Sequence, residues 1–168
     1  MPKTYEPIQS QVLASSQASV VFSTIPQTYT DLILIGNSRS AASNGADVGI
    51  QLNSDTGNNY SRVRIQGDGS TPGSLIAINE NKMFGGLHNV STDTANTFGA
   101  NIWHIMNYSN SVTYKTLLIR GNRVNNNVFL SATLWRSTAA ITSITLTTDS
   151  GASFDTGSTF VLYGIKSA

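Results

Sequence analysis

The chain has no cysteine, only four prolines among 168 residues, two histidines, and charged side chains at 11% of positions. Without cysteine there is no disulfide framework and no thiolate metal site. Charge well below the roughly 25% usual in globular domains, with a formal net charge of +1, removes the electrostatic case for a nucleic-acid partner. Long apolar runs are missing too. The longest, Leu-Ile-Leu-Ile at 32–35, falls far short of the roughly 20 residues that span a bilayer. Residues 1–8 hold no apolar signal-peptide core. The expectation is synthesis in a cytoplasm and no membrane association. The sequons at Asn59, Asn89 and Asn107 are then accidents of composition.

What fills the space left by charge is 22 Ser, 19 Thr and 16 Asn. Such a surface hydrogen-bonds without relying on charge, suits hairpin turns, and makes contacts that tolerate changing salt. Low charge leaves solubility weakly protected, which fits a protein that works inside an assembly.

Short β-branched and aromatic runs recur along the chain. Strands are expected at 17–23, 31–39, 48–53, 60–66, 97–108, 112–120, 128–136, 141–148 and 159–165, with weak strand character at 75–78 and an irregular stretch at 79–96. Pro26 marks a corner, and Ser54–Asn59 and Gly67-Asp68-Gly69-Ser70 mark turns. No apolar 3.6-residue period of useful length exists, so the crossover helices of a parallel sheet are absent. The prediction is an all-β fold with little or no helix: one antiparallel, jelly-roll-like β-sandwich of about eight to ten strands over 11–168, preceded by an extended arm at 1–10.

Within 60–66 the alternation places Val63 and Ile65 inward and Arg62, Arg64 and Gln66 outward. The terminal run 158–165 is apolar on both parities, with Phe160 and Leu162 on one face and Val161, Tyr163 and Ile165 on the other. A strand with one wet face alternates, so this one is covered on both sides, by a loop or by another subunit. The runs 32–35 and 102–106 share the pattern.

Candidate chemistry is sparse. His104 lies in Ile102-Trp103-His104-Ile105-Met106 and reads as a core or interface histidine rather than a proton shuttle. No nucleophile elbow places a serine, and no Asp-x-Asp-x-Asp-Gly calcium loop occurs. Asp55-Thr56-Gly57 and Gly67-Asp68-Gly69 are turns, in which Asp accepts from nearby backbone. The sequence nominates no catalytic residue, metal ligand or cofactor site.

Binding has more support. If Val128, Leu130, Ala132 and Leu134 face the core, Phe129 and Trp135 point outward, serving a subunit interface or a sugar-stacking platform unless the chain's own loops cover them. Arg136 and the other arginines then act as interface donors. Tyr5 and Pro7 suit an arm lying on a neighbour. With Phe160 and Leu162, these seven residues are the candidate partner or subunit interface.

Three segments carry a resemblance: Ser23-Thr-Ile-Pro-Gln-Thr-Tyr-Thr-Asp-Leu-Ile-Leu-Ile-Gly36, Leu52-Asn-Ser-Asp-Thr-Gly-Asn-Asn-Tyr-Ser61 and Gly157-Ser-Thr-Phe-Val-Leu-Tyr-Gly-Ile165. In this order the chain resembles small β-sandwich virion proteins of tailed bacteriophages, which include head decoration (cement) proteins and tail-associated components. The resemblance implies a structural virion protein on the capsid exterior, made in the host cytoplasm, that trimerises and clamps the major capsid protein lattice. The alternative it leaves open is a tail or fibre module binding host glycans.

Overall fold

The computed structural model describes residues 4–166. Twelve strands occur among them: β1 Tyr5–Val12, β2 Ser19–Phe22, β3 Asp31–Ser38, β4 Asp47–Leu52, β5 Tyr60–Gly67, β6 Pro72–Glu80, β7 Met83–Leu87, β8 Gly99–Met106, β9 Lys115–Arg123, β10 Asn127–Trp135, β11 Ile144–Thr148 and β12 Thr159–Ile165. No helix appears among the described residues. The strands form an eight-stranded sheet, ordered β1-β12-β3-β8-β9-β10-β5-β6, and a four-stranded sheet, ordered β2-β11-β4-β7. Every strand pairing within them is antiparallel. The all-β antiparallel sandwich expected from the sequence is therefore what forms, with more strands than the eight to ten anticipated.

The two sheets meet over aliphatic and aromatic side chains. Leu32, Leu34, Trp103, Ile105, Leu117, Ile119, Phe160 and Leu162 come from the large sheet; Val20, Phe22, Val48, Ile50, Leu52, Met83, Ile144 and Leu146 come from the small one. All are essentially inaccessible, and burying each such side chain contributes about 1.5–3 kcal/mol before the entropy cost. Phe154 meets Phe160 edge-on at 5.2 Å. Trp103 lies against the Gly85–Gly86 step of β7 and donates its indole N–H to the Gly85 carbonyl. Over β12, a Cβ at Gly164 would come within 2.3 Å of the Tyr29 ring, so only glycine admits that ring.

Turn chemistry ties the hairpins. Between β5 and β6, Asp68 Oδ1 accepts from the Ser70 and Thr71 amides at 2.8 and 2.6 Å while Gly69 takes φ +92°. These bonds hold the exposed Asp68 carboxyl down at about 2. The turn reading of Gly67-Asp68-Gly69 is thus correct. Asn53 reaches from the end of β4 to pin the segment before β11, accepting from the Thr142 and Ser143 amides and donating to the Ala140 carbonyl.

Three expectations change. The segment expected as an arm at 1–10 is, from Tyr5 onward, edge strand β1, paired with β12 through a bulge near Pro7; residues 1–3 lie outside the described residues. The weak strand at 75–78 is the middle of nine-residue β6. The stretch 79–96 contains β7 and then a loop held by two arginines. Arg39 donates to the carbonyls of Ser91, Asp93, Thr94 and Thr97, and Arg123 clamps Asp93 with two bonds of 2.8 and 2.7 Å.

Candidate interaction surface

Strands β9, β10, β5 and β6 form one end of the large sheet, and here the structure reverses the expected facing. Register places Ile76, Val63, Ala132 and Leu118 in one row across four strands, with Ile65, Leu130 and Arg120 in the next. This is the outer face. Val63 and Ile65, expected inward, are more than half exposed, while Arg64 is buried and the Arg62 side chain is only 9% exposed. On β10, Val128 and Leu130 are exposed, and Phe129 and Trp135 are buried at 5% and 2%.

The reason lies in the partners waiting inside. Arg64 Nη1 bonds Asp47 Oδ1 at 2.6 Å, its Nε donates to Gln66 Oε1 at 2.7 Å, and its guanidinium lies 5.4 Å from the Phe129 ring centre. Arg62 sits 5.0 Å from the Phe84 ring centre, 3.4 Å from Glu80 and 3.8 Å from Asp47, and donates to the Phe84 carbonyl at 2.7 Å. Burial raises the Glu80 carboxyl despite Arg62. A buried charge is tolerated when paired and hydrogen-bonded. Arg64 meets that condition, and Arg62 meets it through its two Nη atoms while its buried Nε has no hydrogen-bond partner.

Trp135 has its own anchor. Its indole stacks on Tyr60 at 6.3 Å and 13°, and Nε1 donates to Asp55 Oδ2 at 2.7 Å. Burial pushes Asp55 up, but bonds from Trp135, Asn59 and the Gly57 amide outweigh it, so the carboxyl lies below its ordinary range. Directly across in register is Lys115, fully buried and capped by the carbonyls of Thr113 and Thr138 at 2.8 and 3.1 Å. Desolvation lowers the Lys115 pKa.

The seven residues proposed as an interface therefore do not come together. Phe129, Trp135, Phe160 and Leu162 are interior. Arg136 spends its guanidinium on the Asn58 carbonyl and Asn79 Oδ1, at 2.5 and 2.9 Å. Tyr5 and Pro7 are exposed on β1, at the opposite edge of the large sheet from β6.

What sequence reasoning missed is the aliphatic outer face itself. Val63, Ile65, Ile76, Ile78, Leu118, Val128 and Leu130 are each 42–71% exposed. A groove of about 730 Å³ lies over Ile65, Val128 and Leu130, rimmed by Pro72 and Gly73. A smaller one of about 230 Å³ lies between Val63, Ile76, Ile78 and Leu134. Beyond the hairpin tips the lining turns polar, with Asp68, Ser70, Thr71 and Asn125 to Asn127 around a hollow of about 510 Å³.

The titratable groups elsewhere serve the framework. His104 faces outward beside Asp31, Nε2 to Oδ2 at 3.4 Å, and Asp31 Oδ1 accepts from the Asn107 amide. His88 is fully buried, 6.1 Å edge-on from Phe154, and burial drives its pKa down to about 4, so the ring is neutral. Among the described residues no group of three or more His, Asp or Glu side chains is placed to hold a metal ion.

No family model matches the chain, and no curated protein matches it either. Among solved structures the chain is similar to a protein of unknown function from Shewanella oneidensis MR-1, at 11% identity and a TM-score of 0.27, over 98% of this chain and 80% of that one.

Proposed function

We propose that this chain is a structural subunit of a virion: a head decoration protein of the tailed-phage kind, displayed on the capsid exterior, that works as a homo-oligomer and binds the major capsid protein lattice. The observation that carries the reading is the uncovered aliphatic outer face of the large sheet, at the upper end of what a solitary soluble domain leaves exposed. The near-neutral, Ser/Thr/Asn-rich composition supports it, because contacts without strong charge survive changes of salt. Repetition over a lattice then multiplies a modest contact through avidity.

Glycan binding by a tail module is the second reading, favoured by the polar hollow at the hairpin tips. Trp135 is no stacking platform for it, since its ring is enclosed by Tyr60 and Asp55. Purified protein added to undecorated heads tests the first reading. Saturable binding with increased resistance to heat or chaotrope is expected, and no binding together with glycan-array signal at the Asn125 to Asn127 loop would replace it with the second.

A further inference from the structure

We infer that the outer face of β9, β10, β5 and β6 is a self-association surface, and that what covers it is the same face of another copy of this chain. The inference deepens the assembly reading above, from which it takes only that the chain works as an assembled subunit.

Three observations lead there. The first is area. The seven exposed aliphatic side chains of this face offer on the order of 600 Å² of contiguous apolar surface, at the top of what monomers leave uncovered and near the roughly 800 Å² that one partner gives to a stable interface. The second is charge. A face that meets its own copy and carries charge of one sign sets like charges against each other, so such charges must be few. Of the outward positions on these four strands, Arg120 alone holds a formal charge, because Arg62, Arg64 and Arg123 turn to the inner side and pair with Asp47, Glu80 and Asp93. The third is shape. Ile76 and Ile78 stand out at 71% and 67% exposure beside the two grooves, so projections and hollows share one surface. That is what an isologous contact requires.

The edges of the sheet agree. At the far edge, β1 is blunted by Pro7 and a bulge. At the near edge, β6 presents Leu75-Ile76-Ala77-Ile78 with no lysine or internal proline, an edge that invites aggregation unless something lies over it.

The experiment uses the whole chain alone. Sedimentation velocity from about 1 to 100 µM should give a concentration-dependent mass at an integral multiple of 17.9 kDa. Val63→Asp and Ile76→Asp should run as folded monomers, and Val112→Asp, still more exposed but in the loop before β9, should keep the wild-type mass. As the chain lacks cysteine, Val63→Cys adds a single thiol whose maleimide labelling should slow about tenfold at the higher concentration, while Val112→Cys labels equally at both. That readout holds should the aspartate variants misfold. A wild type that stays monomeric at 100 µM, or face variants that retain its mass, would overturn the inference. Head binding separates the two proposals: a monomer that still saturates heads removes self-association and leaves decoration standing, and an oligomer that ignores heads does the reverse.

Discussion

Two pairs of neighbouring strands in the same sheet solve the choice of face in opposite ways. In β3 and β12 Leu32, Leu34, Phe160 and Leu162 go inside, and Ile33, Ile35, Val161 and Tyr163 look out. In β5 and β10 the clean aliphatic parity looks out, and the inner parity is Arg62, Arg64, Phe129, Ser131, Thr133 and Trp135. Alternation fixes which residues share a face and leaves open which face is inside. At this end, Asp47 on β4, Glu80 on β6 and Asp55 in the β4–β5 turn decide it, because they offer partners to the arginines and the indole that no outer position supplies.

The largest break in that comparison comes from Trp135→Ala. If the indole were outward, the loss would be small. Enclosed by Tyr60 and anchored on Asp55, its removal should cost about 3–5 kcal/mol in urea unfolding, in the range of large aromatic truncations. Leu34→Ala on β3 should cost a comparable amount, since both sites are sealed. Leu130→Ala, on the same strand as Trp135 but on the outer face, should stay below about 1 kcal/mol for the monomer.

A second break uses pH. His88 is neutral in the folded chain with a pKa of about 4, against an ordinary 6.5. A folded pKa below the unfolded one means the unfolded chain takes up the proton first, so stability is full above pH 6.5 and falls as pH drops toward 4. The loss approaches about 3 kcal/mol at the low end by linkage. His88→Gln should flatten that slope. Asp55 and Asp93, both held below their ordinary 3.8, add a further loss as pH falls through and below that value, which the variant should leave in place.

How much of this was legible in the sequence follows from the same physics. The strand positions read well, because β-branched runs punctuated by Asn, Asp and Gly turns report local preference. Tyr5 and Pro7 suit an extended arm on a neighbour, whereas in the structure the same extended segment pairs with β12 of its own chain and Pro7 sits at a sheet edge, where proline is tolerated. The site was not legible. Its aliphatic row Ile76, Val63, Ala132 and Leu118 looks like core in any one strand, and only the cross-strand register shows four such residues side by side on the open face. A partial signal existed: Phe129 and Trp135 share parity with Ser131 and Thr133, small hydroxyls that a large ring can pack beside.

A third test separates pairing from mere burial. Arg64→Met leaves Asp47 without its closest cation and should cost about 2 kcal/mol, less than a fully enclosed pair because Asp47 keeps 20% of its side-chain surface. Adding Asp47→Leu should recover most of the loss, since matched apolar replacements of both partners are often neutral. Failure to recover would mean that Asp47 is needed mainly by Arg62, its second partner at 3.8 Å.

The smallest effect is the sharpest for the outer face. Val63→Thr keeps β-branching and nearly the same volume, and the added hydroxyl faces water at a half-exposed site. Strand preference is unchanged and no buried polar group is created, so the monomer should keep its stability within about 0.5 kcal/mol. The same change at Val48 on β4, wholly enclosed between the sheets, buries a hydroxyl among aliphatic groups and should cost about 1–3 kcal/mol. Equal costs at the two positions, read by urea unfolding at a concentration where the chain is monomeric, would put Val63 back in the core and undo the reversal of faces on which the interaction surface rests.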